Sequence, residues 1–239
     1  MSPVARASGA SSAGRPVGGA PRIGVVDYGA GNLVSIGQAL ARVGAEVRRV
    51  RRSDDLHDVQ GLVVPGVGAA GPAMRRLGRT GLVEPLRDWV AADRPFLGIC
   101  LGLQLLFEGS DEDGAETLGL LAGRTVMLES APRLPHIGWN QVERRRAHPL
   151  FAGIAPAADF YFVHSYAGRP AGTEGEAAIL AETEHGRRFV SAVARGALLG
   201  VQFHPERSAG DGLRLLANFV AIAAEGGGRA RVRPEAVSC

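Results

Sequence analysis

Short apolar runs and amphipathic segments alternate through the first half of the chain. Four segments have the pattern of strands: 23–26, 46–50, 62–64 and 95–99. Three segments have helical spacing: 33–43 and 81–92 lie between these strands, and 101–107 follows the last of them. The first of these helices has Asn32 as a candidate N-cap. This β-α-β-α order predicts an α/β fold with a mostly parallel sheet and helices on both faces, and active sites in such sheets lie at the carboxyl ends of the strands.

The second half of the chain changes character. Six segments have the pattern of strands, with few helices between them: 125–128, 140–143, 160–166, 178–181, 189–194 and 198–203. Short links of this kind predict antiparallel hairpins. Residues 212–224 have the spacing of one closing helix. We therefore expect an additional antiparallel strand region beside the parallel sheet.

The two ends of the chain differ from the middle in composition. Residues 1–21 are rich in Ala, Gly, Ser and Pro, and predict a disordered N-terminal extension. An extension is favoured over an organellar transit peptide because no amphipathic run of large apolar residues is present. Residues 225–239 predict a flexible C-terminal tail, which leaves 22–224 as one folded domain. No run reaches ~18 apolar residues, so no membrane span is expected.

Composition narrows the classes of function. Of the 239 residues, 46% are hydrophobic and 21% charged, which excludes a wholly disordered chain, a collagen and a disulfide scaffold. The net charge of +3 resides in the ends, and residues 23–223 sum to −1, so no nucleic-acid partner is expected. The two cysteines, Cys100 and the terminal Cys239, favour a reducing, cytoplasmic compartment.

The sharpest chemical feature is the segment GICLG at 98–102, where a predicted strand meets a predicted helix without a linker. It has the form of a nucleophile elbow with Cys100 in place of serine. The helix would direct its N-terminal N–H groups and dipole at the sulfur, which favours the thiolate. A buried structural cysteine is the alternative, and it is the commoner fate of a single cysteine.

A cysteine nucleophile needs a base, and the base needs an orienting acceptor. The segment 202–206, QFHPE, offers both, because His204 ends an apolar strand and Glu206 follows two residues later. Pro205 disfavours helix at His204 and keeps the segment extended. By itself this pair has the pattern of a surface ion pair, which remains the alternative.

The third feature is PGVG at 65–68, again after a predicted strand. Gly66, Val67 and Gly68 can turn their N–H groups inward and, with the N–H of Leu101, hold the oxyanion of a tetrahedral intermediate. An ordinary glycine turn is the alternative. The remaining histidines show no metal-ligand spacing with Cys or acids: His57, His136, His148, His164 and His185. We expect neither a metal nor a cofactor.

These pieces, in this order, resemble the class I, triad-type glutamine amidotransferases, which share GICLGLQLL at 98–106 and VQFHPE at 201–206. The resemblance implies a flavodoxin-like amidotransferase fold. It also implies that Cys100 is the nucleophile, His204 the base and Glu206 the orienting carboxylate. Gln104 matches a position that helps to hold the substrate, L-glutamine.

More specific segments resemble the glutaminase subunits of imidazole glycerol phosphate synthases, from histidine biosynthesis: DYGAGN at 27–32, PHIGWN at 135–140 and FYFVHSY at 160–166. The resemblance runs from about Arg22 to Ala224. It implies a glutamyl thioester on Cys100 and ammonia that passes to a (β/α)₈ cyclase subunit. A barrel takes ~250 residues, so the cyclase is expected as a separate protein in a heterodimer. Four residues are implied at the docking face and ammonia exit: Asn32, Trp139, Asn140 and Arg207.

The chain departs from the family pattern at two positions. Arg207 stands where Lys is common, and its larger planar donor is expected to change the contact across the interface. Ala70 stands where Phe is frequent, which leaves the packing of the oxyanion strand open. The resemblance further implies that the isolated subunit is nearly inactive, with the Gly66-Val67 N–H turned away until the partner binds its ribonucleotide.

Three other interpretations remain beside this one. Another amidotransferase subunit, serving anthranilate, pyridoxal phosphate or purine synthesis, would keep the triad, but PHIGWN and YGAGN disfavour it. A cysteine peptidase or deglycase on a related flavodoxin-like sheet fits the first half, but not the late HPE segment. A non-catalytic binding module would be favoured by loss of a triad residue, and none is lost.

Overall fold

The computed structural model describes residues 19–229. The strands of this part of the chain are β1 (Arg22–Val26), β2 (Glu46–Val50), β3 (Gly61–Gly66), β4 (Phe96–Cys100), β5 (Gly109–Ser110), β6 (Gly123–Met127), β7 (His136–Arg144), β8 (Ala158–His164), β9 (Tyr166–Pro170), β10 (Ile179–His185), β11 (Arg187–Arg195) and β12 (Leu198–Val201). The α-helices are α1 (Leu33–Arg42), α2 (Ala70–Thr80), α3 (Val83–Ala91), α4 (Leu101–Gln104), α5 (Gly172–Ala178) and α6 (Ala209–Arg229).

Nine strands form the main sheet, in the order β2-β1-β3-β4-β12-β11-β10-β7-β8. The first five of these are parallel, and the pairs from β12 to β8 are antiparallel. Strands β5, β6 and β9 form a separate small sheet. The predicted α/β fold, with a parallel region followed by an antiparallel one, is confirmed.

The central strands are apolar because both faces of the sheet are covered. Every residue of β3 and β4 is buried, as expected for parallel strands with helices on both sides. The edge strand β2, with sequence EVRRV, is largely exposed. One face packs against Leu40 of α1 and Phe219 of α6, and the other packs against Leu77 of α2 and Trp89 of α3. The main sheet therefore separates two hydrophobic cores.

Helix α2 was absent from the sequence prediction. Its N-cap residue, Ala69, offers no side-chain hydrogen bond, so the usual start signal is missing. The carboxylate of Asp113, from a distant loop, accepts a hydrogen bond from the N–H of Gly71 at 2.7 Å instead. Gly81 ends the helix in the left-handed conformation. Ala70, the departure from the family pattern, is the first residue of α2 and is buried.

One strand and two further helices also differ from the prediction. The predicted strand 160–166 is divided at Ser165, because β8 pairs with β7 in the main sheet whereas β9 pairs with β6 in the small sheet. The predicted helix 101–107 is only four residues long, and the buried residues after it continue in tight turns. Helix α5 was not predicted, since its sequence GTEGEAA has two glycines and no side-chain cap.

The closing helix is longer than predicted. Helix α6 runs from Ala209 to Arg229, so it continues past the predicted helix end at 224 into residues 225–229 of the expected C-terminal tail. An added Cβ at Gly226 would lie 2.9 Å from Cγ of Pro95, which shows that this turn packs against the domain. The expected extension at 1–18 and the rest of the tail at 230–239 lie outside the described residues. Within 19–229, no helix is long and apolar enough to cross a bilayer.

Candidate active site

Cys100 is the last residue of β4, and α4 begins at the next residue. Its backbone has φ 54° and ψ −109°. Residues other than glycine rarely adopt this conformation, and close packing holds it here. An added Cβ at Gly102 would overlap the carbonyl oxygen of Val64, and one at Gly98 would approach the carbonyl of Gly102. Both glycines of GICLG are therefore needed for this turn. The geometry is that of a nucleophile elbow.

His204 and Glu206 form a buried pair just beyond β12. Nδ1 of His204 lies 3.0 Å from Oε1 of Glu206, and the two side chains are 7% and 6% exposed. A carboxylate accepts, so Nδ1 carries the proton and donates. The backbone N–H of His204 donates to the carbonyl of Tyr161 at 2.9 Å, which fixes the start of the segment. The pair is therefore rigid and is not the exposed ion pair of the alternative.

The structure brings this pair to the elbow. Strands β4 and β12 are parallel neighbours, with Val201 opposite Ile99, so both end at the same edge of the sheet. Burial lowers the pKa of His204, but the neighbouring Cys100 and Glu206 side chains outweigh burial and raise the pKa to about 10. Nε2 of His204 is buried and makes no hydrogen bond within residues 19–229. An imidazole held in this way can exchange a proton with a group at the sulfur.

A cavity of about 270 Å³ opens beside the sulfur. It is lined by Val67, Gly68, Cys100, Leu101, Gln104, Glu112, Pro135, Val163, His164, Ser165 and Tyr166. Glu112 is the carboxylate of this lining, and partial burial together with the charge of Asp113 raises its pKa. Glu112 was not predicted from the sequence as a site residue. It lies in an acidic loop that has the sequence of an ordinary solvated segment, so nothing in the sequence indicates that Glu112 lines a cavity.

The predicted oxyanion residues lie around Cys100. Gly66 ends β3 opposite Cys100, Gly68 has φ +89°, and Leu101 is the first residue of α4. The hydroxyl of Tyr28 donates to the carbonyl of Pro65 at 3.0 Å and fills the space where a Cβ at Gly66 would lie. Helix α4 has a single turn, so its dipole supports the thiolate less than the predicted longer helix would.

Gln104 is buried behind the cavity. Its Nε2 donates to the carbonyl of Tyr166 at 2.7 Å and to Oε1 of Gln202 at 3.2 Å. Gln202 in turn places its Nε2 3.6 Å from the sulfur of Cys100. Gln202 belongs to the shared segment VQFHPE, but its contact with Cys100 spans 102 residues and was not predicted from the sequence.

The expected docking residues fall into two places. Trp139, 54% exposed, packs edge-on against the ring of Tyr161, and the guanidinium of Arg207 lies 4.0 Å over the same ring. Asn140, next to Trp139, donates to the carbonyl of Glu184 at 2.9 Å. The hydrogen bond of Asn32 stays within the first turn of α1, where its side chain accepts from the N–H of Ser35.

Metal ligation was not expected from the sequence. Among residues 19–229, no group of three or more His, Cys, Asp or Glu side chains is arranged to hold a metal ion. His136, His164 and His185 nevertheless lie together, with the rings of His136 and His185 stacked 4.0 Å apart. Burial holds the pKa of His136 near 4 and that of His164 near 3, so both rings are neutral at physiological pH.

Known proteins resemble this chain over nearly the whole domain. Residues 24–223 match the family described as "Glutamine amidotransferase class-I". The chain is 50% identical over 201 residues to "Imidazole glycerol phosphate synthase subunit HisH" of Symbiobacterium thermophilum, covering 83% of this chain and 92% of the relative. It is 47% identical over 210 residues to the protein of the same name from a Synechococcus strain, covering 86% and 95%.

Solved structures agree on the fold. A glutamine amidotransferase crystal structure superimposes with a TM-score of 0.67 at 22% identity, covering 84% of this chain and 98% of that structure. A chain in the structure of PurLQS from Thermotoga maritima gives 0.66 at 18% identity, covering 85% and 99%. The predicted resemblance is thus confirmed by sequence and fold together, and the chain belongs to the class-I glutamine amidotransferase family.

Proposed function

We propose that this chain is the glutaminase subunit of an imidazole glycerol phosphate synthase and hydrolyses L-glutamine with Cys100, His204 and Glu206. The single observation that carries the catalytic part is the buried His204–Glu206 pair, which leaves Nε2 of His204 free beside the elbow of Cys100. The names of the relatives, at up to 50% identity over almost their full length, support the assignment to this synthase.

In the first half-reaction, the thiolate of Cys100 attacks the carbon of the substrate carboxamide and forms a tetrahedral oxyanion. The C–N bond then breaks, and the imidazolium of His204 gives its Nε2 proton to the departing nitrogen, so that ammonia leaves. A glutamyl thioester remains on the sulfur. The pKa of His204, raised to about 10, favours the imidazolium in the resting pair.

In the second half-reaction, water attacks the thioester carbon. Neutral His204 accepts the proton of the water through Nε2, and the C–S bond breaks to release glutamate. The thiolate and the imidazolium are thereby restored. Glu206 keeps the proton of His204 on Nδ1 and stabilises the cationic form in both half-reactions.

The oxyanion is stabilised by backbone N–H groups of Gly66, Val67, Gly68 and Leu101. Val67 is about half exposed and is flanked by Gly66 and by Gly68 at φ +89°, so the Gly66-Val67 peptide can reorient at low cost. We assign it two states, with the N–H either averted from the oxyanion or aimed at it. The nucleotide-loaded partner favours the aimed state, which couples glutamine hydrolysis to the use of ammonia.

The cavity has the polar groups that glutamine requires. Glu112 supplies a carboxylate for the α-amino group of the substrate, and Gln104 lies on the wall that positions the carboxamide. The cavity volume of about 270 Å³ suits a single amino acid. Its lining contains no second acidic residue, so Glu112 is the counter-charge of this site.

The partner is a (β/α)₈ cyclase subunit in a heterodimer. A docking face for this partner is supported by exposed apolar side chains on the described surface. Trp139, Ile137 and Val34 are each more than half exposed. Asn32, Asn140 and Arg207 contribute polar groups to this face. Ammonia crosses it to the cyclase, which makes imidazole glycerol phosphate and aminoimidazole carboxamide ribotide. The complex acts in the cytoplasm, where Cys100 stays reduced.

The test is glutamate release from glutamine by the whole chain, alone and with the cyclase subunit, with and without the phosphoribulosyl formimino ribonucleotide. Release that requires both partner and ribonucleotide, and that is lost in Cys100→Ala, supports the assignment. Release that survives Cys100→Ala rejects the nucleophile. Release stimulated by another synthase, and not by the cyclase, would keep the glutaminase and reject the histidine pathway.

A further inference from the structure

Gln202 is fully buried and contacts two residues of the cavity lining, Gln104 and the catalytic Cys100. Its backbone N–H donates to the carbonyl of Ser191 at 2.9 Å, and its Nε2 is 3.6 Å from the sulfur of Cys100. We propose that Gln202 is a further catalytic residue, whose side-chain amide donates a hydrogen bond to Cys100 and stabilises the thiolate. This inference rests on the proposed role of Cys100 as the nucleophile.

The orientation of the Gln202 amide follows from its neighbours. The carbonyl oxygen of Tyr166 can only accept, so the group of Gln104 that lies 2.7 Å from it is the NH₂. The same NH₂ group lies 3.2 Å from the Gln202 side chain, which must offer its oxygen there. The NH₂ of Gln202 is then directed at the sulfur. The contact with Cys100 is therefore a donor contact.

A second set of hydrogen bonds holds the Tyr166 carbonyl from the other side. Nδ1 of His164 lies 2.8 Å from this oxygen and must donate, which leaves Nε2 of the neutral ring as an acceptor. Nδ1 of His136 donates to that Nε2 at 3.2 Å, and Nε2 of His136 accepts from the amide of Asn140 at 3.2 Å. All these bonds run in one direction, from Asn140 to the Tyr166 carbonyl.

The neutral state of the two imidazoles is part of this arrangement. Each ring donates through one nitrogen and accepts through the other, which a protonated ring cannot do. Burial, with the nearby His185 as a further cause, lowers the pKa of His136 to about 4, and burial lowers that of His164 to about 3. The network is therefore intact over the pH range in which a thiolate forms.

The sulfur of Cys100 receives a hydrogen-bond donor from Gln202. Its other polar neighbour on the cavity side is the carbonyl oxygen of Val163 at 4.0 Å, an acceptor that favours the protonated thiol. A hydrogen bond from an amide to a thiolate is charge-assisted and favours the ionised form. An amide has no proton to exchange in the working pH range, so Gln202 stabilises the thiolate without competing with His204 for its proton.

The test is the pH dependence of alkylation of Cys100 by iodoacetamide, in the whole chain with Cys239→Ser so that one thiol remains. In Gln202→Leu we expect the pH at half-maximal rate to rise by about one unit, since one charge-assisted hydrogen bond is lost. Gln202→Glu, which has the same shape and places carboxylate oxygens at the sulfur, should raise it further. Gln38→Leu, an exposed glutamine on α1, is the matched control and should leave it unchanged.

An unchanged midpoint in a folded Gln202→Leu protein, with slower glutamate release, would overturn the proposal and assign Gln202 a packing role. If Gln202→Leu does not fold, as judged by thermal melting, the Gln202→Glu midpoint decides in the same way. Failure of the proposed function is a separate result, because it consists of glutamate release that survives Cys100→Ala.

Discussion

Nδ1 of His204 lies 3.0 Å from Oε1 of Glu206, although both side chains are almost completely buried. A buried pair of this kind is stable only when it is charged on both sides or neutral on both sides. Burial opposes the charge, while Cys100 and Glu206 favour it and raise the pKa of His204 to about 10. The relationship therefore links folding stability to the protonation of His204, the proposed catalytic base.

This link predicts how stability depends on pH. The folded pKa of His204 lies above its ordinary value of 6.5, so its contribution to the free energy of unfolding is full below pH 6.5 and is lost as pH rises toward 10. Glu206→Gln should destabilise the protein most near pH 6, with the difference from wild type shrinking toward pH 10. Urea unfolding across this range measures it.

The control for this prediction is Glu143→Gln. Glu143 pairs with Arg188 on the surface, and an arginine keeps its charge throughout the range. Its small effect on unfolding should be the same at pH 6 and pH 10. A constant difference between Glu206→Gln and wild type would show that His204 is not cationic in the folded protein.

The turn at Cys100 leaves no room for an added methyl group at Gly102. In Gly102→Ala the added Cβ would overlap the carbonyl oxygen of Val64, so either β3 or the elbow must shift. We expect a loss of about 2 kcal/mol or more in the free energy of unfolding, together with loss of glutamine hydrolysis. Gly78→Ala on α2, where nothing lies within 4 Å, should be neutral or stabilise by up to about 1 kcal/mol.

Removal of the Glu112 charge should weaken substrate binding. In Glu112→Gln the α-amino group of glutamine loses its counter-charge, so KM should rise by about tenfold or more while kcat changes little. The measurement is steady-state glutamate release by the activated complex. Glu174→Gln, an exposed carboxylate outside the cavity lining, is the control. A KM within twofold of wild type would remove Glu112 from the binding site.

We expect Trp139 to contribute to the affinity for the cyclase subunit but little to the stability of the isolated chain. Its side chain is more than half exposed, so Trp139→Ala should leave the melting temperature of the isolated chain nearly unchanged. Affinity for the cyclase subunit should fall roughly thirtyfold, on the order of 2 kcal/mol, as for a buried aromatic anchor. Calorimetric titration measures this loss. Unchanged affinity would place the partner on another surface.

The elements that sequence predicted well are those with local causes. The turn at Cys100 needs small residues on both sides, and the five-residue segment GICLG contains both of them. Helix α2 could not be predicted, because the Asp113 carboxylate at its first turn is 42 residues away from Gly71. The contact of Gln202 with Cys100 depends likewise on β4 and β12 being neighbours, which only the folded sheet establishes.

The same distinction applies to the docking residues. A sequence motif places Trp139 and Asn140 beside each other, but it does not show that Trp139 and Arg207 contact the same ring, that of Tyr161. Strand alternation on β7 and β8 and the turn after β12 bring these side chains together. Residues from three separate segments can be matched to a family pattern from sequence, but which of them contact each other is established only by the fold.

In the proposed mechanism, glutamine is hydrolysed through a covalent intermediate on Cys100. The most direct measurement is mass spectrometry of the acid-quenched chain during turnover of glutamine with the nucleotide-loaded cyclase. We predict one added glutamyl group on the peptide containing Cys100, absent in Cys100→Ala. Steady glutamate release with no adduct in rapid-quench samples, or with the adduct on another residue, would show that Cys100 is not the nucleophile.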